Sequence, residues 1–439
     1  MNMELDEVCL FRSFFVIMAR TNMTSSHRFV NRENGGETMR KERIEEVTLL
    51  RAMAFMAITM QHCIAEYIYR PDIAQPDAVM LGMLFHFTRF GTPTFVFLSG
   101  LILFYNYAEK LNYLTYVRKR ATDILVPFLT WTVIYWVSVS IISGHSFTAA
   151  GTWTTLVRQL VEPSYGYHLW FILMIFQFYL LLPLLLRLAK PVHSFIQRKP
   201  EQAFRRTLML VAGAAIVYGA LTWFSYYRAG ASAAAIGGFW EWLMVHRSKW
   251  FVFYFFYFLL GAVCAYGLDR FRRVAVSSLL ASGLAFILLY IWAGYELLGI
   301  STTSMMLGAS TYLRPTIFLL IVAQLMAVYG LAVIIDRHGG MMKRFMLFVG
   351  RHSFGGFLAH AFVLMLVSGV TRPMQLEGSH LIATLITFLI VAAGSIGIAK
   401  LASLLPFGSL LIGAQGRKKK SPGSNGKPPY RQEQTGAPL

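Results

Sequence analysis

Ten stretches of about twenty mostly apolar residues follow one another along this chain, at 47–68, 79–106, 121–143, 167–188, 207–226, 249–269, 275–293, 315–336, 345–370 and 380–405. A helix of that length crosses the hydrocarbon core of a bilayer, about 30 Å thick. Lipid offers no hydrogen bonds, so a spanning backbone must satisfy its own as helix or closed barrel. The expected fold class is therefore all-α, a polytopic membrane protein with ten transmembrane helices in the cell membrane. Only 14% of the residues are charged, against about 25% in an ordinary soluble domain.

The formal charge of +19 raises the question of nucleic acid, and position answers it. The segments between apolar runs alternate in basic content. One set (39–46, 107–120, 189–206, 270–274, 337–344, 414–439) holds 24 Lys and Arg, the other (69–78, 144–166, 227–248, 294–314, 371–379) holds 6. Such asymmetry is the positive-inside pattern. It places both termini in the cytoplasm and argues against a nucleic-acid partner. The cysteines are Cys9, Cys63 and Cys264, none in an expected external loop, so no disulfide framework is expected. Residues 1–38 begin acidic and carry Arg12 within a short apolar run. They are expected to be a dispensable extension, disordered or not translated, ahead of a membrane domain at 39–413. Residues 414–439 (AQGRKKKSPGSNGKPPYRQEQTGAPL) are polar, basic and rich in Gly and Pro. They are expected to form a disordered cytoplasmic tail resting on anionic membrane lipid.

Ionisable residues inside a span mark function by default. Arg51 and His62 both lie in the first span, LLRAMAFMAITMQHCIAEYI. Eleven residues are three turns plus about 20°, so the two share one face with a rise of roughly 16 Å. Imidazole, with an ordinary pKa near 6.5, suits general-base work on a hydroxyl; packing between helices is its plainer reading. Arg51 suits a bidentate grip on phosphate or carboxylate, and snorkelling to the interface is the plainer role. His360 offers a second catalytic or substrate-binding imidazole. His86 and Arg89 precede Thr92-Pro93, where proline is expected to break the second helix beside a cavity on the acceptor side. Cys63 adjoins His62 but points about 100° away. Trp153, Trp170, Trp223, Trp240, Trp242 and Trp250 gather toward the expected outer side, as interfacial belts do; stacking on sugar is the sharper alternative. No Walker A, HExxH or CxxC motif occurs, so neither an ATP-driven pump nor a metal centre is expected, and no cofactor.

Five segments in order resemble the acyltransferase-3 family of membrane proteins: RAMAFMAITMQH (51–62), FGTPTFVFLSGLILF (90–104), KRATDILVPFL (119–129), YHLWFILMIFQFYLLLPLL (167–185) and VGRHSFGGFLAH (349–360). The similarity runs over about 43–405, and TPTFVFLSG and YHLWF look closest to the branch that acylates intercellular-adhesin polysaccharides of Gram-positive bacteria. The resemblance implies ten helices, a cytoplasmic acyl-CoA donor substrate and a sugar acceptor at the outer face. It also carries over Arg120, Trp170 and Ser353, each inside one of these motifs, as substrate-binding residues. There is one departure. Many members have Arg-x-x-Arg before the third-helix proline, whereas this chain has Arg120 and then Asp123.

The function expected is transfer of an acetyl or succinyl group from acyl-CoA to a hydroxyl of an envelope polysaccharide or its lipid-linked precursor. A glycan synthase is a candidate partner. Two other classes compete: a polysaccharide transporter or flippase, and a non-catalytic membrane partner of a glycan synthase.

Overall fold

The computed structural model describes residues 44–108, 111–149, 151–300, 307–376 and 378–413. The expected extension at 1–38, with Cys9, and the tail at 414–439 lie outside the described residues. Among the described residues there are helices and no strands. Nine helical segments are long and apolar enough to cross a membrane, and a tenth is a bent pair.

The helices are α1 (Glu45–Tyr67), α2 (Gln75–Phe87), α3 (Gly91–Tyr107), α4 (Tyr113–Arg120), α5 (Val126–Ile142), α6 (Thr152–Val161), α7 (Trp170–Gln197), α8 (Ala203–Tyr227), α9 (Ala229–Ile236), α10 (Gly238–Val245), α11 (Phe255–Tyr266), α12 (Leu268–Ser277), α13 (Leu279–Ile300), α14 (Pro315–His338), α15 (Gly340–Thr371), α16 (His380–Ala402) and α17 (Gly408–Ile412). Helices α2 and α3 together form the second span, and α4 and α5 the third.

One expected break and two departures shape the spans. The second span breaks at Thr88–Phe90, ahead of Pro93. Proline lacks the N–H that would bond the carbonyl of Arg89, so the turn before it opens. The sixth span does not run straight through 249–269. A 3-10 turn at Phe251–Tyr254 leads into α11, which then turns by 111° into α12. The sequence of α12, LDRFRRVAVS, is too basic to continue through lipid. The segments 144–166 and 227–248 are not plain loops: they carry α6, α9 and α10, each too short to span.

Burial sorts the helices. In α1, 78% of the most apolar stretch is buried; in α8 and α13 the shares are 11% and 17%. Helix α1 is thus the centre, and α8 and α13 face lipid. Two contacts bring backbones together. A Cβ at Gly100 would collide with the carbonyl of Phe258, and one at Gly261 with the carbonyl of Phe97, so α3 and α11 cross through two glycines. In lipid, close packing of small residues replaces the hydrophobic drive between helices.

Charges gather at the two ends. At one, Glu46 accepts from Arg272 (2.6 Å) and Tyr329 (3.2 Å), which pins α12 to the first turn of α1. Lys343 there joins Glu45 (2.7 Å) and Asp336 (2.9 Å). At the other, Arg372 meets Glu66 (2.7 Å), and Asp77 accepts from the His380 amide (2.7 Å) at the start of α16.

The glycine crossing makes a test. Gly261→Val inserts carbon against backbone, and overpacking of this kind costs about 1–3 kcal/mol. The expected result is a clear fall in the thermal unfolding midpoint of the detergent-solubilised protein. Gly283→Val on α13, where a Cβ would meet nothing within 4 Å, should leave it nearly unchanged. Equal midpoints for the two variants would contradict the crossing.

Candidate functional site

Two neighbouring sites follow from how α1, α3, α5, α7 and α15 pack. The first is a cavity of about 270 Å³ bordered by Arg51, Ser99, Arg120, Asp123, Tyr179 and Ser353. Its inner end is a layer of three rings, with Phe95, Phe171 and Phe357 all 5.8–6.4 Å apart between centroids.

The cationic side of this cavity depends on a wide turn. Residues Ala121–Leu125 form a π-helical turn closed by the Val126 amide on the carbonyl of Ala121. Pro127 supplies the reason: without an N–H it cannot bond the carbonyl of Asp123 in α register. Gly413 packs on that carbonyl so closely that any side chain would collide with it. Single π turns recur at functional sites because they re-aim side chains. Here the turn follows Arg120, whose guanidinium lies within 6 Å of the rings of Tyr107, Tyr116 and Tyr179. Asp123 is buried and borders the same cavity as Arg51 and Arg120. The position that departs from the Arg-x-x-Arg pattern thus adds a carboxylate to this cavity.

Behind the ring layer stand three imidazoles. His62 of α1 lies 5.0 Å from His360 of α15 between ring centroids, and His360 lies 4.5 Å from His168. His168 is 6.3 Å from His62. Phe357 touches both clusters: it lines the cavity and lies 5.2 Å from His168 and 5.6 Å from His360. His360 is fully buried, and its Nδ1 is 2.6 Å from the carbonyl of Phe357. A carbonyl only accepts, so Nδ1 carries a proton, and in the neutral ring this leaves Nε2 as the lone pair. That Nε2 has no hydrogen-bond partner among the described residues. His62 is only partly buried and packs edge-on to Tyr167 at 5.0 Å.

A side chain reaches the backbone of the turn carrying His360. The hydroxyl of Tyr135 on α5 donates to the carbonyl of Leu358 (2.8 Å) and accepts from the amide of Phe362 (2.9 Å). Those two groups are four residues apart, an i→i−4 pair of the helix ladder, and α15 continues as helix through them. Tyr135 also packs on His168 at 5.5 Å, so one residue braces two of the imidazoles.

The residues singled out in the sequence divide between places. Arg51, Arg120 and Ser353 border the cavity; the Ser353 hydroxyl donates to the carbonyl of Gly350 (2.9 Å). His62 and His360 meet in the imidazole cluster. Arg89 and His86 are buried at the break between α2 and α3. Arg89 donates to Gln61 (3.1 Å) and lies 3.6 Å from the Tyr312 ring, and Gln61 donates to the carbonyl of Thr88. This network braces the break between α2 and α3. Trp170 faces Tyr254 at 6.1 Å, away from the imidazoles. Cys63 packs in a separate apolar group with Val363 and Val391. Sequence reasoning missed His168, although it lies in the quoted YHLWF. Its signal was an imidazole two residues before that tryptophan, at the mouth of a span.

Tyr135→Phe tests the brace. Removing the hydroxyl takes away two buried hydrogen bonds, at a cost of about 1–3 kcal/mol, read as a lowered thermal unfolding midpoint. An unchanged midpoint would mean that the backbone of α15 satisfies these groups by itself.

Comparison with known proteins agrees with this architecture. An acyltransferase domain of the acyltransferase-3 type matches residues 44–403. The "Putative membrane-bound acyltransferase YfiQ" of Bacillus subtilis is 24% identical over 390 residues, covering 86% of this chain and 97% of that protein. The "Probable poly-beta-1,6-N-acetyl-D-glucosamine export protein" of Staphylococcus aureus is 31% identical over 144 residues, covering 33% of this chain and 38% of that protein. No solved structure matches. The family match spans α1 to α16, including all three imidazoles and the charged residues of the cavity, and the chain belongs to the acyltransferase-3 family of integral membrane proteins.

Proposed function

We propose that this protein moves an acyl group, acetyl or succinyl, from cytoplasmic acyl-CoA to a hydroxyl of an extracytoplasmic polysaccharide or its lipid-linked precursor. The observation that carries the reading is the cavity bordered by Arg51 and Arg120, ending on Phe357 with the imidazoles of His62, His168 and His360 directly behind. Donor and acceptor lie on opposite sides of the membrane, so the thioester must travel inward while the charged nucleotide stays outside the lipid. The pantetheine arm has twelve bonds from its phosphate ester oxygen to sulfur. At three bonds per roughly 3.5 Å, as in an extended peptide, it reaches about 14 Å. The rise from Arg51 to His62 is roughly 16 Å. With a phosphate at the level of Arg51, the sulfur arrives near the imidazoles, where Phe357 must yield to let it pass.

The chemistry needs one base and no resident cofactor. The acceptor oxygen attacks the thioester carbonyl carbon while His62 takes its proton. The tetrahedral intermediate collapses, the carbon–sulfur bond breaks, and the proton passes to the CoA thiolate. An ester and free CoA result. His360, with Nδ1–H held by Phe357, and His168 orient His62 and share its charge.

Inside-out membrane vesicles given labelled acyl-CoA should yield an acylated glycan acceptor. Movement of unmodified glycan without acyl transfer would favour the transporter reading, which the export protein of Staphylococcus aureus brings to mind. His62→Gln keeps hydrogen bonding but cannot take the proton, and should lower turnover by about 10²–10⁴-fold at equal membrane abundance. A Gln variant with near-normal turnover would reduce His62 to a packing residue.

Arg51→Lys separates gripping from snorkelling. A bidentate fork becomes a point charge, so the Michaelis constant for acyl-CoA should rise more than turnover falls. Losing a charge-assisted contact worth about 1.5–3 kcal/mol corresponds to roughly 10–150-fold. An unchanged donor dependence would mean that Arg51 only anchors α1.

A further inference from the structure

A second cavity, of about 230 Å³, opens where α11 bends into α12, bordered by Ile44, Tyr105, Tyr266, Asp269, Arg270 and Arg272. It continues the walls of the first. Ile44 caps α1 seven residues before Arg51, and Tyr105 stands seven residues after Leu98 on α3. Seven residues return a helix to within about 20° of the same face, roughly 10 Å further along. The two cavities therefore lie in line along α1 and α3, with the second on the side away from His62.

Its chemistry suits a nucleotide. Arg272 is committed to Glu46 (2.6 Å) and Asp269 (3.0 Å). Arg270 is not committed: its guanidinium lies 4.1 Å from the Phe204 ring, and among the described residues no carboxylate pairs with it. Its Nε is buried without an acceptor. A guanidinium held flat on a ring and left without a counter-ion is a ready partner for phosphate. Tyr266 supplies an aromatic face beside it; that ring already stacks on His193 at 4.5 Å and 21°. Resting on the donor reading above, the distances place the parts of acyl-CoA in order. If the sulfur is near His62 and the diphosphate is level with Arg51, the nucleotide falls about 10 Å beyond, level with Ile44.

We propose that this cavity holds the adenosine 3′,5′-bisphosphate end of the donor, with Arg270 on the 3′-phosphate and Tyr266 against the adenine. Bending α11 into α12 then has a purpose: it swings a basic helix across the mouth of the donor path instead of continuing through lipid.

The test uses the full chain in nanodiscs of neutral lipid and 8-azidoadenosine 3′,5′-bisphosphate as photolabel. Mass spectrometry should find the label on peptides carrying Tyr105 or residues 266–273, and acyl-CoA should suppress it. Label elsewhere, or label that acyl-CoA does not displace, overturns the proposal. Label displaced by added phosphatidylglycerol but not by acyl-CoA makes the cavity a lipid headgroup site and overturns it equally. In kinetics, Arg270→Gln should reduce the advantage of acyl-CoA over acyl-pantetheine as donor about tenfold, a single decade of affinity; an undiminished advantage counts against Arg270. The two readings fail separately. Label in this cavity without acyl transfer from any donor leaves the nucleotide site standing and removes the transferase reading. Transfer with label elsewhere removes only the nucleotide site.

Discussion

The seam between α1 and α15 holds the rest of the site in place. On α1 the contact runs through Thr48, Phe55 and His62, spaced by seven residues, the repeat at which one helix keeps the same face toward another. On α15 the partners are Gly350, Gly356 and His360. A side chain at Gly350 would run into the carbonyl of Thr48, and one at Gly356 would press on the ring of Phe55. With both positions glycine, the helices come together far enough for His62 and His360 to meet at 5.0 Å. A larger residue low on the seam would part the imidazoles three turns above it, because a close-packed interface transmits displacement along its length.

Charge inside the membrane follows the same economy. Arg51, Arg120 and Asp123 are not scattered over lipid-facing surface but border one cavity. Arg120 is surrounded by three tyrosine rings, whose π faces attract a cation. Other ion pairs, Glu46–Arg272 and Lys343–Glu45 at one end and Arg372–Glu66 at the other, tie helix ends together. An intramembrane charge is tolerated where protein or a polar cavity replaces water, and Arg51, Arg120 and Asp123 meet that condition together at this cavity.

The helix backbone adjusts as well. The second span breaks before Pro93, the third widens into a π turn before Pro127, and the Tyr135 hydroxyl joins the ladder of α15 at the His360 turn. In lipid, freed backbone groups must find partners within the protein. Thr88, Asp123 and Leu358 each have a carbonyl facing a neighbouring element: the Gln61 amide, Gly413 and the Tyr135 hydroxyl respectively.

The all-helical class and nearly every span were legible in the sequence, because twenty apolar residues in a row have few other stable arrangements. Arg51 and His62 were also legible as a pair, since helical periodicity alone puts them on one face. Three things were not. The 111° bend between α11 and α12 was one, and the contact that holds α12 there, Arg272 on Glu46, joins residues 226 positions apart. His168 was not singled out, and only the packing of the turn Tyr167–Leu169 beside α15 brings it 4.5 Å from His360. The partners of Arg89 were the third: only the folded chain sets Gln61 and Tyr312 against it. Sequence determined which segments enter the membrane, because hydropathy is a property of each segment by itself. Tertiary structure alone decided which polar groups meet there, because that depends on which helix faces which, and apolar surface packs against lipid as readily as against another helix.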